Sequence, residues 1–211
     1  MTRILSAVVG LCLAAVLAAC AATPASNGAA PRGTLTKPDP ASLSSKANAL
    51  PHSGAPSVAD PLPESALPSD PCQAFTRPQI VEALGEDAPE GERDDIATGP
   101  WCSWQDSATG AAVFVNYITA TREGLSNLYR NTKPGAAVWR EIASIGGFPA
   151  VAFKTHEDES SCSVTVGIAD EYTVAVVLAP SRAKQGDVDA CALSERMAGT
   201  LVDNLRARAG R

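Results

Sequence analysis

The chemically reactive residues of this chain are its cysteines and one histidine set among carboxylates. Cys20 directly follows Leu17-Ala18-Ala19. Upstream, Met1-Thr2-Arg3 is a short basic start, and Ile4 to Ala19 is an almost unbroken apolar run. A basic start, an apolar run and small residues at its end read as a secretory signal. The run is shorter than the roughly 20 apolar residues a membrane span requires. With a cysteine at its end, the pattern resembles a bacterial lipobox. There the chain is cut before the cysteine, the thiol is acylated with palmitate-type chains, and the new amine is usually acylated too. Residues 1–19 therefore read as a lipoprotein signal peptide and Cys20 as the lipidation site. Two or more acyl chains anchor a protein stably, where one binds only marginally. This places the protein on the cell membrane, lipid-anchored and facing outside the cytoplasm.

Cys12 leaves with the signal, and the exported chain keeps Cys72, Cys102, Cys162 and Cys191. An even number of cysteines outside the cytoplasm reads as disulfide bonding. The chain has no Cys-x-x-Cys pair, so the sequence suggests neither a thioredoxin-like site nor a zinc ribbon. Bonded thiols are also poor nucleophiles. His156-Glu157-Asp158-Glu159 is the one place beyond residue 70 where a histidine meets carboxylates. Four neighbours in a loop rarely converge on one ion, and a zinc site would need more ligands than this histidine offers. No Gly-x-Ser-x-Gly elbow accompanies His156 as it would in a hydrolase. The acidic run from Glu86 to Asp95 lacks the alternation of a calcium loop and reads as an exposed loop. No catalytic residue, metal ligand or cofactor is assigned. The weak candidates for ligand contact are Trp101, beside that acidic run, and Gly146-Gly147-Phe148, through exposed backbone.

The chain has 211 residues and a formal net charge of -6. That is one folded domain once the signal is removed. No basic patch stands out, which argues against nucleic acid as a partner. Residues 20–69 are rich in Ala, Pro and Ser and have no aromatic residue. Such composition cannot offset its ordering entropy. The segment, His52 included, reads as a disordered tether that the folded domain at 70–208 does not need.

Thr76-Arg77-Pro78-Gln79 carries helix-start signals, with a capping box and proline in the first turn. Phe75 and Ile80 can form the hydrophobic staple, and Gly85 stops the helix. Short strands are expected at 101–105, 113–118, 138–143, 150–154, 162–168 and 172–179, where apolar residues alternate or run together. Residues 121–131 can form a short helix. A longer one from 188 to 206 repeats Leu193, Met197, Leu201 and Leu205 every four residues. Hairpin-length connections make the sheet mainly antiparallel. Its apolar face must be covered, and the N- and C-terminal helices are available. The fold class is α+β.

Five landmarks occur in order: Asp70-Pro71-Cys72, Trp101-Cys102-Ser103-Trp104, Ile145-Gly146-Gly147-Phe148-Pro149-Ala150-Val151, Cys162-Ser163-Val164-Thr165-Val166 and Asp189-Ala190-Cys191. With the lipobox, they resemble the DUF3558 family of actinobacterial lipoproteins, whose function is unknown. Asp189-Ala190-Cys191 departs from the Asp-Pro-Cys often found there. The resemblance implies an envelope lipoprotein and carries no catalytic residues with it. At the level of fold alone, an analogy with the Mog1/PsbP-like sandwich is available, and fold does not give function.

The expected disulfides are nested, Cys102–Cys162 joining two strands and Cys72–Cys191 joining two helix starts. Such long loops would contribute about 4–5 kcal/mol each. The rival pairs the cysteines in sequence order. The expected function is a non-catalytic binding or envelope-assembly module. Its partners are the membrane, through the acyl chains, and an unidentified envelope protein or wall ligand. An extracytoplasmic hydrolase with an unrecognised site is the alternative. The resemblance adds a third reading, an accessory factor of a secretion system. Replacing Cys20 with Ala is expected to abolish acylation and move the protein out of the membrane fraction. Retention of that variant in the detergent phase would refute the lipobox reading.

Overall fold

The computed structural model describes residues 49–211. The signal peptide, Cys20 and the first part of the expected tether lie outside the described residues. Seven strands form one sheet: β1 (Glu92–Ile96), β2 (Gly99–Gln105), β3 (Ala112–Ile118), β4 (Val138–Ile145), β5 (Phe148–Lys154), β6 (Cys162–Gly167) and β7 (Thr173–Ala179). Their spatial order is β1-β2-β3-β7-β6-β5-β4, and every neighbouring pair is antiparallel. The helices are α1 (Arg77–Leu84), α2 (Gly124–Asn131) and α3 (Ala190–Arg208). The α+β class and the element order are as expected. One element is new: the second half of the acidic run is strand β1, not loop. All five of its residues are exposed at the sheet edge. It therefore has no buried face to impose alternation on its sequence. Its charges suit an edge that must not recruit further strands.

Local chemistry explains the helices. The Thr76 N–H donates to Gln79 Oε1 at 2.8 Å, which is one arm of the capping box that opens α1. Asp189 caps α3, its carboxylate accepting from the N–H groups of Cys191 and Ala192 at 2.8 and 3.2 Å. Ala198, Leu201, Val202 and Leu205 of α3 are fully buried against the sheet. Ser194, also fully buried, accepts from the Leu178 N–H at 3.0 Å and donates to the Cys162 carbonyl at 2.8 Å. One hydroxyl thus bonds both to β7 and to β6.

The face under α1 and α3 carries Cys102 and Trp104, then Val113, Val115 and Tyr117, then Val174, Val176 and Leu178, then Val164 and Val166. The other face is covered over β5 by α2, where Leu125 and Tyr129 pack on Val151. Gly167 permits that approach, since a Cβ there would lie 2.8 Å from Leu125 Cδ1.

The disulfides are Cys72–Cys102 and Cys162–Cys191. The nested pairing is corrected. The expectation that like elements join fails because each helix lies over a different part of the sheet. The turn at Pro71–Ala74 reaches β2, and the start of α3 reaches β6. Each helix-start thiol therefore meets the strand beneath it. The loops, closed over separations of 30 and 29 residues, are worth about 3–4 kcal/mol each.

The second correction concerns the tether. Residues 49–69 are part of the folded domain. Val58, Leu62 and Ala66 are core residues, Leu62 being only 2% exposed. The Leu62 N–H donates to the Ile168 carbonyl at 3.2 Å, and the Tyr172 hydroxyl donates to the Leu62 carbonyl. The Val58 N–H donates to Asp170 at 2.8 Å, and the His52 N–H to Ser126 at 2.9 Å. Composition misled here because three small apolar anchors and backbone bonds suffice to order the segment.

Leu62→Ala is expected to cost about 2–5 kcal/mol in urea denaturation, as for a fully buried leucine. Burial pushes the Tyr172 hydroxyl up to about 12. Between pH 10 and 12 the folded chain therefore binds more protons than the unfolded one, and stability falls as pH rises. This contribution is whole below pH 10 and lost toward pH 12. Tyr172→Phe should be less stable at neutral pH and should flatten that alkaline decline.

Candidate functional site

A cavity of about 700 Å³ lies on the helical face, between α1 and α3. Ligand pockets typically enclose about 300–1,000 Å³. One wall is α1, through Gln79, Glu82, Ala83 and Leu84; the other is α3, through Leu193, Arg196, Met197 and Thr200. Thr109 and Ala111 come from the β2–β3 turn, Leu178 and Ala179 from β7, and Ser181 and Lys184 from the turn after β7. Leu178 and Met197 are buried, whereas Glu82, Lys184 and Arg196 are exposed at the rim.

The two walls are joined by a polar clasp. Asn204 of α3 donates to the Ala74 carbonyl at 2.8 Å and to Gln79 Oε1 at 2.9 Å, and it accepts from Gln79 Nε2 at 3.1 Å. The Gln79 oxygen that accepts from the Thr76 N–H in the capping box thus also holds the two helices together.

A second, shallower hollow of about 260 Å³ lies on the opposite face, lined by Trp101, Phe114, Asn116, Ala175 and Val177. Trp101 stacks on Phe114, with ring centroids 5.4 Å apart. Its indole N–H is buried without a partner among the described residues. Trp101 is half-buried beside β1, and Trp104 is core.

Gly146-Gly147-Phe148 is a packed turn. Phe148 is buried, and the Gly146 carbonyl accepts from Arg206 at 3.1 Å. Gly146 has φ +58°, and a Cβ there would lie 2.6 Å from Val202 Cγ1. That glycine is required by the approach of α3. His156 is exposed in the β5–β6 loop. Among the described residues, no group of three or more His, Cys, Asp or Glu side chains is placed to hold a metal ion. Burial raises the ionisation of Tyr117 well above the usual range. Its hydroxyl, unpaired among the described residues, lies in the core away from either hollow.

A family model described as "Protein of unknown function (DUF3558)" matches residues 15–204. The chain belongs to the DUF3558 family. No curated protein and no solved structure matches it. The five landmarks that carry the resemblance fall at structural positions in this DUF3558 domain. They are the two disulfides, the turn packed on α3, and the strands beneath the helices. They do not mark the cleft. Its lining comes from α1, the β2–β3 turn, β7, the following turn and one stripe of α3, so no local motif gathers it. The available signal was the wide apolar stripe of the last helix, which exceeds what one sheet contact needs.

Asn204→Ala is expected to destabilise the domain by about 1–3 kcal/mol, because it leaves the Ala74 carbonyl and the Gln79 side chain without their shared partner. Chemical denaturation measures this directly.

Proposed function

We propose that this protein is a non-catalytic binding module, displayed outside the cytoplasm and held to the membrane by acyl chains on Cys20. Leu17-Ala18-Ala19-Cys20 behind the apolar run supports the anchor. Two disulfides in one small domain suit an oxidising compartment. Among the described residues no helix is long and apolar enough to cross a membrane.

The observation that carries the binding reading is the α1–α3 cleft. It combines ligand-sized volume with a mixed lining, apolar at Leu178, Leu193 and Met197 and polar at Gln79, Glu82, Lys184, Arg196 and Thr200, so that it can take a ligand with both apolar and polar parts. Its lining holds one carboxylate, Glu82, and neither histidine nor thiol. Such a set suits recognition better than acid–base or nucleophilic work. The ligand is a small or slender molecule of the envelope, since the cleft is too narrow a surface for a standard protein interface.

Residues 20–211 bearing Cys20→Ala, so that no acyl chain competes, should bind the neutral dye N-phenyl-1-naphthylamine saturably, one per chain. Thr200→Trp, which fills the cleft from its α3 wall, should lose that binding while keeping the same thermal midpoint. Dye binding that is absent, or indifferent to Thr200→Trp, would count against the cleft as the site.

A further inference from the structure

We infer that the cleft takes an anionic single-chain amphiphile, a long-chain carboxylate, with its head group against Lys184 and Arg196. This inference rests on the cleft being the ligand site. The floor sets the first half of the chemistry. Leu178, Leu193 and Met197 give the lining apolar side chains against which an alkyl chain can pack, and burying such a chain is favourable in proportion to its length.

The rim sets the second half. Most of the bases among the described residues are already engaged. Arg77, Arg93, Arg122, Arg130, Lys133, Arg140 and Arg211 are in ion pairs. Lys154, Arg182 and Arg206 donate to backbone carbonyls. The side chains of Lys184 and Arg196 do neither among the described residues, although both line the cleft. Arg208 is likewise unengaged among the described residues, but it does not line the cleft; in a protein of net charge -6, Lys184 and Arg196 are thus the two unengaged cations that do.

Glu82 stands on the opposite wall, in α1. Two cations against one carboxylate leave the rim with one net positive charge, which matches a single carboxylate better than a doubly charged phosphate. Glu82 also fixes direction, turning the head group toward Lys184 and Arg196. An amphiphile with a cationic head would meet two like charges where it gained one partner.

Calorimetry below the micellar concentration tests this on residues 20–211 carrying Cys20→Ala. Dodecanoate should bind at least tenfold more tightly than dodecanol and more tightly than dodecyl phosphate. The double variant Lys184→Gln, Arg196→Gln should weaken dodecanoate about tenfold and leave dodecanol unchanged. Both residues are exposed, so the fold should survive, and dye binding verifies that the cleft persists. Equal binding of acid and alcohol, or an indifferent double variant, overturns the carboxylate while the cleft stands. Preference for the phosphate overturns the choice of head group. Failure of the dye itself overturns the cleft and the inference together.

Discussion

The cleft depends on each helix that covers the sheet being covalently fastened at its start to the strand beneath it and not to the other helix. Cys72 ties the turn before α1 to β2, and Cys191 ties the first turn of α3 to β6. Bonded cysteines hold their Cα atoms about 5.5–6 Å apart. A bond between Cys72 and Cys191 would therefore have drawn the two helix starts together. The pairing actually present leaves the helices to meet only where side chains bring them together, at Gln79 and Asn204. Beyond that clasp, α1 and α3 separate over Leu178, and the gap stays open. Closing it would bury more apolar surface, so an open gap of this volume is maintained by the covalent and polar contacts around it.

Those contacts are redundant by design of the fold, because β6 and β7 are held by α3 in two ways. Ser194 bonds to both strands through one hydroxyl, and Cys191 bonds covalently to β6 three residues earlier. The wall of the cleft formed by Leu193, Arg196 and Met197 is thus placed by neighbours that do not themselves line it. A rigid wall matters for binding, since a preorganised site avoids the entropy of ordering side chains around a ligand.

Most of this architecture was legible in the residues. The four-residue repeat of the last helix reflects a surface buried on one side, and burial is what imposes a period; Cys162–Gly167 alternates in residue type although β6 is covered on both faces. Where burial is absent or one-sided in an unusual way, the sequence is silent. β1 has no buried residue, so Glu92–Ile96 reads as loop. Residues 49–69 bury only isolated side chains such as Leu62, and their order comes from backbone bonds to Ile168 and Tyr172 that no composition records. The disulfide pairing depended on which strand each helix crosses, a tertiary fact that hydrophobic periodicity does not carry. The cleft was hidden for the same reason, its walls being drawn from segments more than a hundred residues apart.

The two hollows differ in a way that decides between them. Around Trp101 and Phe114 the lining is nearly all side chain of a flat sheet, with Asn116 as its one polar member. A planar apolar patch offers area without enclosure, and the stacked ring pair already satisfies much of it. Between α1 and α3 the lining is concave, and the charges at its rim are unequal in sign and set on opposing walls. A ligand seated there would displace water from the floor, which strengthens any charge contact made beside it. Orientation then follows from the rim: a ligand with one apolar and one charged end has a single favourable way to lie. A domain without evident catalytic groups can still be selective on those terms, because an apolar slot with polarised ends rejects molecules that lack either half.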